Sequence, residues 1–146
     1  PGAVVPPGPR GPFRAFLGGP RGWAGPHLRF GVNDGGACDV LVGDGAVAAC
    51  EAPLWSVADK DGTTIEGLGN ERQPHPLQRA FIAEQALQCG YCVSGILMSA
   101  AALLRQNPDP TAAEVKLALD RNLCRCGSHN RIVKAVLRAA AEMAAQ

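Results

Sequence analysis

Four of the six cysteines stand in two tight pairs, Cys89 and Cys92 in QCGYCVSG and Cys124 and Cys126 in LCRCGSH, with 31 residues between the pairs. A CxxC pair turns two thiolates toward one centre from a single turn of chain, and a CxC pair does the same from an irregular stretch. Four sulfurs can thereby close around one soft metal centre. All-thiolate ligation suits zinc or an iron-sulfur cluster, and spacing alone does not choose between them. The segment between the pairs is patterned as helix, unlike the hairpin knuckles that usually carry each pair in a zinc ribbon or finger. Cysteines at helix ends favour a buried cluster, with a zinc-holding structural or interaction module as the alternative.

The elements that must hold these pairs are legible in residues 74–146, which are rich in Ala and Leu at helical spacing. Pro76 sits at a helix start, and Leu77, Ala80, Phe81 and Leu87 form one stripe, predicting a first helix that delivers Cys89 at its C-terminal end. Val93, Ile96, Leu97, Ala100, Leu103 and Leu104 predict a second helix that stops before Asn107-Pro108. Thr111 and Glu114 make a capping box for a third, with Ala112, Val115, Ala118 and Leu119 as its stripe and Cys124 directly at its end. Ile132, Val133, Val136, Leu137, Ala140 and Met143 predict a fourth. Short joints between four helices argue for a compact bundle in which helix ends gather both cysteine pairs.

Residues 1–73 read differently, holding 15 of the 18 glycines and 8 of the 12 prolines. The composition divides the chain near Arg72 to Pro76 and predicts two subdomains, 1–73 and 74–146. In the first thirty residues only short runs such as Ala3-Val4-Val5 and Phe13 to Leu17 are free to be regular, giving an edge strand, a short helix and loops. Cys38 to Val42 reads as a strand, Gly43-Asp44-Gly45 as a hairpin turn and Ala46 to Cys50 as the returning strand. Thr63 to Glu66 reads as another short strand. The expected class is α+β, a small β-grasp fold followed by a helical bundle.

Several functions are excluded by composition. A net charge of +1 argues against nucleic acid as a partner. No run of 18 apolar residues offers a membrane span, and no signal sequence opens the chain. Six cysteines suit metal ligation in a reducing compartment better than a secreted disulfide scaffold, whose cysteines are usually more evenly scattered. No Ser/His/Asp set, phosphate-cradling loop or carboxylate pair is visible, so chemistry at a substrate is expected on a partner chain. A redox sensor acting on DNA would be expected to carry a reading helix or a basic face, and neither is evident. His27 and His75 have no partner spacing and read as surface residues. Trp23 and Trp55 read as core or interface aromatics.

QCGYCVSGILMSAAALL followed by NLCRCGSHNRIVKAV resembles the iron-sulfur subunit of molybdenum hydroxylases, the xanthine oxidase family, in particular the small subunits of bacterial isoquinoline, nicotinate, aldehyde and carbon monoxide dehydrogenases. The resemblance runs from about Gly36 to the C-terminus. It implies a four-helix bundle whose Cys89, Cys92, Cys124 and Cys126 bind a [2Fe-2S] cluster beside the molybdopterin cofactor of a large catalytic partner subunit. Gln88 and Cys126 match the family positions that approach the pterin. His129 falls where relatives carry Tyr or His and reads as packing or surface. The implied role is to relay single electrons from the molybdenum centre to a flavin subunit or a cytochrome c. Location in the cytoplasm, or in the periplasm by co-export with a partner, goes with it.

The same family adds a plant-type ferredoxin domain, and GGACDVLVGDGAVAAC followed by PLWSVADKDGTTIEGLG resembles that region. Cys38 and Cys50 then fall on its third and fourth ligand positions, while Phe30 and Gly35 occupy the first two. Neither of those residues ligates iron through its side chain. A [2Fe-2S] centre takes four ligands, so one cluster is expected. The first domain is degenerate, with a docking role, or holds a second cluster with ligands borrowed from elsewhere, and Cys38 and Cys50 read equally well as two small residues on neighbouring strands. Gly90 and Gly127 each follow a cysteine, where positive φ would let backbone amides approach cluster sulfurs or would simply cap a helix. Arg125 lies between two ligands, placed to offset their charge or to stand solvated.

Overall fold

A computed structural model describes residues 3–4, 13–18 and 35–145. Phe30, Trp23 and His27 lie outside the described residues. The order of elements is β1 (Ala3–Val4), α1 (Phe13–Gly18), β2 (Asp39–Val42), β3 (Gly45–Ala48), a 3-10 turn (Leu54–Val57), β4 (Asp61–Thr63), α2 (Ile65–Leu68), α3 (Pro76–Ala83), α4 (Val93–Gln106), α5 (Ala112–Ala118) and α6 (His129–Ala144).

The strands form one antiparallel sheet in the order β1-β4-β2-β3. Asp39 pairs with Ala48 and Val42 with Gly45, leaving a two-residue loop in which Gly43 takes φ +59°, the first central position of a hairpin where glycine is at no steric cost. The expected hairpin is therefore present, and Cys38 and Cys50 flank its strands. The strand expected at Thr63 to Glu66 is displaced. β4 ends at Thr63, Thr64 is extended, and Ile65–Leu68 is a helical turn whose Ile65 and Leu68 pack on the helical core.

β2 is buried along its whole length because the sheet lies between two apolar layers. Side chains alternate across a strand. Val40 and Val42 face a small cluster with Phe13, Leu17, Ala49, Leu54 and Val57, while Leu41 faces the larger helical core. The centre of that core is α4, of whose 14 residues ten are buried. A helix apolar all round belongs in the middle of its neighbours, and α4 touches β2, β3, α2, α3 and α5. Gly95 allows the closest approach, since a Cβ there would overlap the backbone of Gly36 and Ala37.

α3 and α6 lie against each other on the outside. α6 buries Ile132, Ala135, Val136, Ala139 and Ala140, an i, i+3, i+4, i+7, i+8 stripe, and leaves Met143 largely exposed. α5 has the expected capping box, Thr111 with Glu114. It buries Val115, with Leu119 just past its end; Ala112 and Ala118 face solvent, against their expected place in the stripe. His75 departs from expectation too. It is half-buried, and its Nδ1 accepts from Leu77 N–H at 3.2 Å while Gln78 Oε1 accepts from His75 N–H at 2.8 Å, a reciprocal cap that the neutral ring provides. Trp55 is 78% exposed, so it is no part of this chain's core.

Candidate metal centre

The helices place the cysteine pairs at helix starts rather than at the C-terminal ends expected from the stripes. α3 stops at Ala83 because the next residues form a Schellman motif. Gln85 N–H bonds to Ile82 O at 3.1 Å, Ala86 N–H bonds to Phe81 O at 2.9 Å, and Gln85 takes φ +49°. Ala86 is buried with Phe81 in the core, whereas Leu87 leaves the helix and is largely exposed. The chain then runs irregularly through Gln88 and Cys89 to Cys92, the N-cap of α4. α5 likewise ends at Ala118, so Cys124 is separated from it by an irregular stretch and precedes Ser128, the N-cap of α6.

Both pairs therefore lie against the N-terminal ends of the two longest helices. Free N–H groups and the positive end of the helix dipole favour a thiolate there. Gly90 and Gly127 take φ +80° and +73°, as expected, and a Cβ on either would meet nothing within 4 Å, so conformation rather than crowding selects glycine. Val93 N–H bonds back to Gly90 O at 3.1 Å and Gly127 N–H to Cys124 O at 3.2 Å, closing a turn on each side of the site.

The sulfurs pair across the two loops, first cysteine with last and second with third. Cys89 and Cys126 Sγ atoms are 3.4 Å apart, and Cys92 is hydrogen-bonded to Cys124. Cys89 is exposed, Cys126 partly so, and Cys92 and Cys124 are buried. Burial pushes the Cys92 thiol up to about 12, helped by its hydrogen bond to Cys124. Burial raises Cys124 as well, but hydrogen bonds from the Ser128 backbone, the Cys92 thiol, the Cys126 backbone and the Ser128 side chain outweigh it, and Cys124 falls below its usual value. These hydrogen bonds prepare Cys124 to be a thiolate, with Cys92 among its donors. This donor set fits a binuclear iron-sulfur centre, in which each metal takes two thiolates. Among the described residues no three or more His, Cys, Asp or Glu side chains gather as the ligands of one ion would.

Around the outer edge of the site Gln88, Leu87, Tyr91, Leu123 and Arg125 are exposed. His129 is exposed and lines an open cleft of about 880 Å³ with Lys116, Asp120, Arg121 and Asn130.

Cys38 and Cys50 also meet, with Sγ atoms 3.1 Å apart, some distance along the sequence from the other pairs. Burial first, then the hydrogen bond with Cys50, pushes the Cys38 thiol up to about 11. Gly35 is buried as well, and its carbonyl accepts from Leu123 N–H at 3.2 Å. Sequence reasoning passed over Asp39, whose carboxyl is fully buried and accepts from Ser99 and Asn122. The signal was present in DVLV, a charge at the head of an otherwise apolar strand.

Residues 64–137 match the family described as a [2Fe-2S] binding domain. The chain is 52% identical over 118 residues to the alpha chain of isoquinoline 1-oxidoreductase from Brevundimonas diminuta, covering 80% of this chain and 77% of that one. It is 47% identical over 116 residues to a nicotinate dehydrogenase subunit of Pseudomonas putida, covering 80% and 74%. The fold superposes on quinoline 2-oxidoreductase from Pseudomonas putida 86 with a TM-score of 0.84 at 30% identity, over 92% of this chain and 83% of that one. Cysteine pairing, fold and relatives agree, and the chain belongs to the iron-sulfur subunits of the molybdenum hydroxylases, the xanthine oxidase family.

Proposed function

We propose that Cys89, Cys92, Cys124 and Cys126 hold one [2Fe-2S] cluster, through which the chain serves as the electron-transfer subunit of a molybdenum hydroxylase. The observation that carries this reading is the pairing of sulfurs across two loops at two helix N-termini, Cys89 with Cys126 and Cys92 with Cys124. When bound, the cluster supplies a one-electron carrier. The residues of the chain hold it, cover its inner side with the α4 and α6 cores, and leave the Cys89 side open. Substrate chemistry belongs to a large molybdopterin-binding partner. The exposure of Gln88 and Cys89, with apolar Leu87, Tyr91 and Leu123 around them, supports docking of that partner here, with Gln88 and Cys126 toward the pterin. Electrons then leave singly toward a flavin subunit or a cytochrome c. No helix among the described residues is long and apolar enough to cross a membrane.

The finer architecture belongs to this reading as well. α3 to α6 are read as a four-helix bundle within residues 74–146, and the sheet of residues 1–73 as a β-grasp fold lacking two ligand positions. Cys38 and Cys50 supply two thiols only, and a second cluster there would require two further ligands from elsewhere. Analysis of iron and acid-labile sulfide in the purified chain, with a visible spectrum, tests the whole. A red-brown chain with iron and sulfide for one cluster is expected. A colourless chain containing zinc overturns it in favour of the structural alternative.

A further inference from the structure

The segment Gly35 to Asp39 is bound at each alternate residue to the cysteine-bearing half. Gly35 O accepts from Leu123 N–H at 3.2 Å, the residue before Cys124, and Ala37 O accepts from Ser94 Oγ at 3.4 Å on α4. Asp39 Oδ2 then accepts from Ser99 Oγ of α4 at 2.8 Å and from Asn122 Nδ2 at 3.2 Å, with Arg121 Nη2 at 3.6 Å. Gly36 is packed so closely on Asn122 that a Cβ there would overlap its side-chain amide. The carboxyl of Asp39 has no exposed surface, and a buried carboxylate is costly unless hydrogen-bonded and paired. Its partners come from two places: the middle of the most buried helix and the two residues that lead into Leu123-Cys124.

We infer that Asp39 is a positioning residue for the cluster: it ties the loop that carries Cys124 and Cys126 to α4, so that the sheet braces the metal site. Groups that orient metal ligands from behind typically change metal affinity 10- to 100-fold when removed. The inference rests on the proposed ligand role of Cys124 and concerns what fixes it. Asp39 faces α4 together with Leu41, whereas Val40 faces the opposite cluster, which supplies a control in the next residue.

The test uses the full chain with its cluster, in wild-type, Asp39→Ala, Asp39→Asn and Val40→Ala forms. Three readouts are compared: melting temperature, the electron paramagnetic resonance spectrum of the dithionite-reduced cluster, and the rate of cluster loss to an iron chelator. Asp39→Ala is expected to lose the cluster about 10-fold faster or more and to alter the resonance line shape. Asp39→Asn keeps an acceptor oxygen for Ser99 and Asn122 and is expected to restore most of the wild-type spectrum. Val40→Ala hollows the other face and is expected to lower the melting temperature with the spectrum unchanged. If Asp39→Ala fails to fold, Ser99→Ala, which removes the tether to α4 alone, is read in its place, with the same direction expected. A wild-type line shape and chelator rate in whichever of these two variants folds overturns the inference. A wild-type chain that takes up no cluster overturns the proposed function itself, and the inference with it.

Discussion

The two places where cysteine sulfurs meet differ in what surrounds them. At Cys38 and Cys50 the thiols touch across the end of a hairpin, Cys38 is raised by burial, and Gly35, three residues earlier, spends its carbonyl on Leu123. At the C-terminal site there are two such contacts, Cys92 and Ser128 are the N-caps of two helices, and hydrogen bonds from Ser128 help to hold Cys124 below its usual value. Thiol proximity and a buried, raised thiol, Cys92 at one site and Cys38 at the other, are thus common to both, while ligand number and a sulfur lowered by hydrogen bonds, Cys124, belong to one. The hairpin site, through Asp39, contributes to the other as a brace.

The comparison breaks most directly by removing a buried ligand. Cys92→Ser or Cys124→Ser is expected to abolish the visible absorption and the iron content of the chain, as read by spectrum and metal analysis, because the oxygen is a poor match for soft iron-sulfur ligation. Next in size is Phe81→Ala, expected to destabilise by about 3–5 kcal/mol in denaturant unfolding, since a fully buried ring that also seats the Schellman motif before Cys89 is lost. His75→Ala removes a cap and should cost about 1 kcal/mol. The pH dependence has a definite sign. Burial, then Arg79 and Arg105, hold the imidazole below its usual 6.5, so its contribution is complete above that pH and declines as pH falls into the window below it, because the unfolded chain takes up the proton first. Thermal melts from pH 7.5 down to 5 on wild type and His75→Ala should converge. The smallest effect sharpens the contrast: Cys38→Ser combined with Cys50→Ser is expected to leave iron per chain unchanged, and a fall by half would assign a second cluster to the hairpin.

Much of the site is legible in the order of residues. CxxC and CxC in helical context carry their own chemistry, α4 and most of α6 follow from their apolar stripes, and α5 follows from the Thr111–Glu114 cap with Val115. What failed did so for local reasons. Leu87 completes the α3 stripe on paper, but Gln85 adopts a left-handed conformation usually left to glycine, so nothing in the residue type announces the stop. Thr64 and Ile65 carry strand propensity, yet Ile65 finds the helical core from a single helical turn.

The residue types and spacings determined by themselves that the thiols would come in two close pairs and that helices would hold them, since both depend on short-range geometry. Tertiary structure alone decided which sulfur pairs with which, that the pairs sit at helix starts, and that Asp39 reaches Asn122 across 83 positions of chain. Such contacts are made by the packing of separate segments, and no local pattern encodes them.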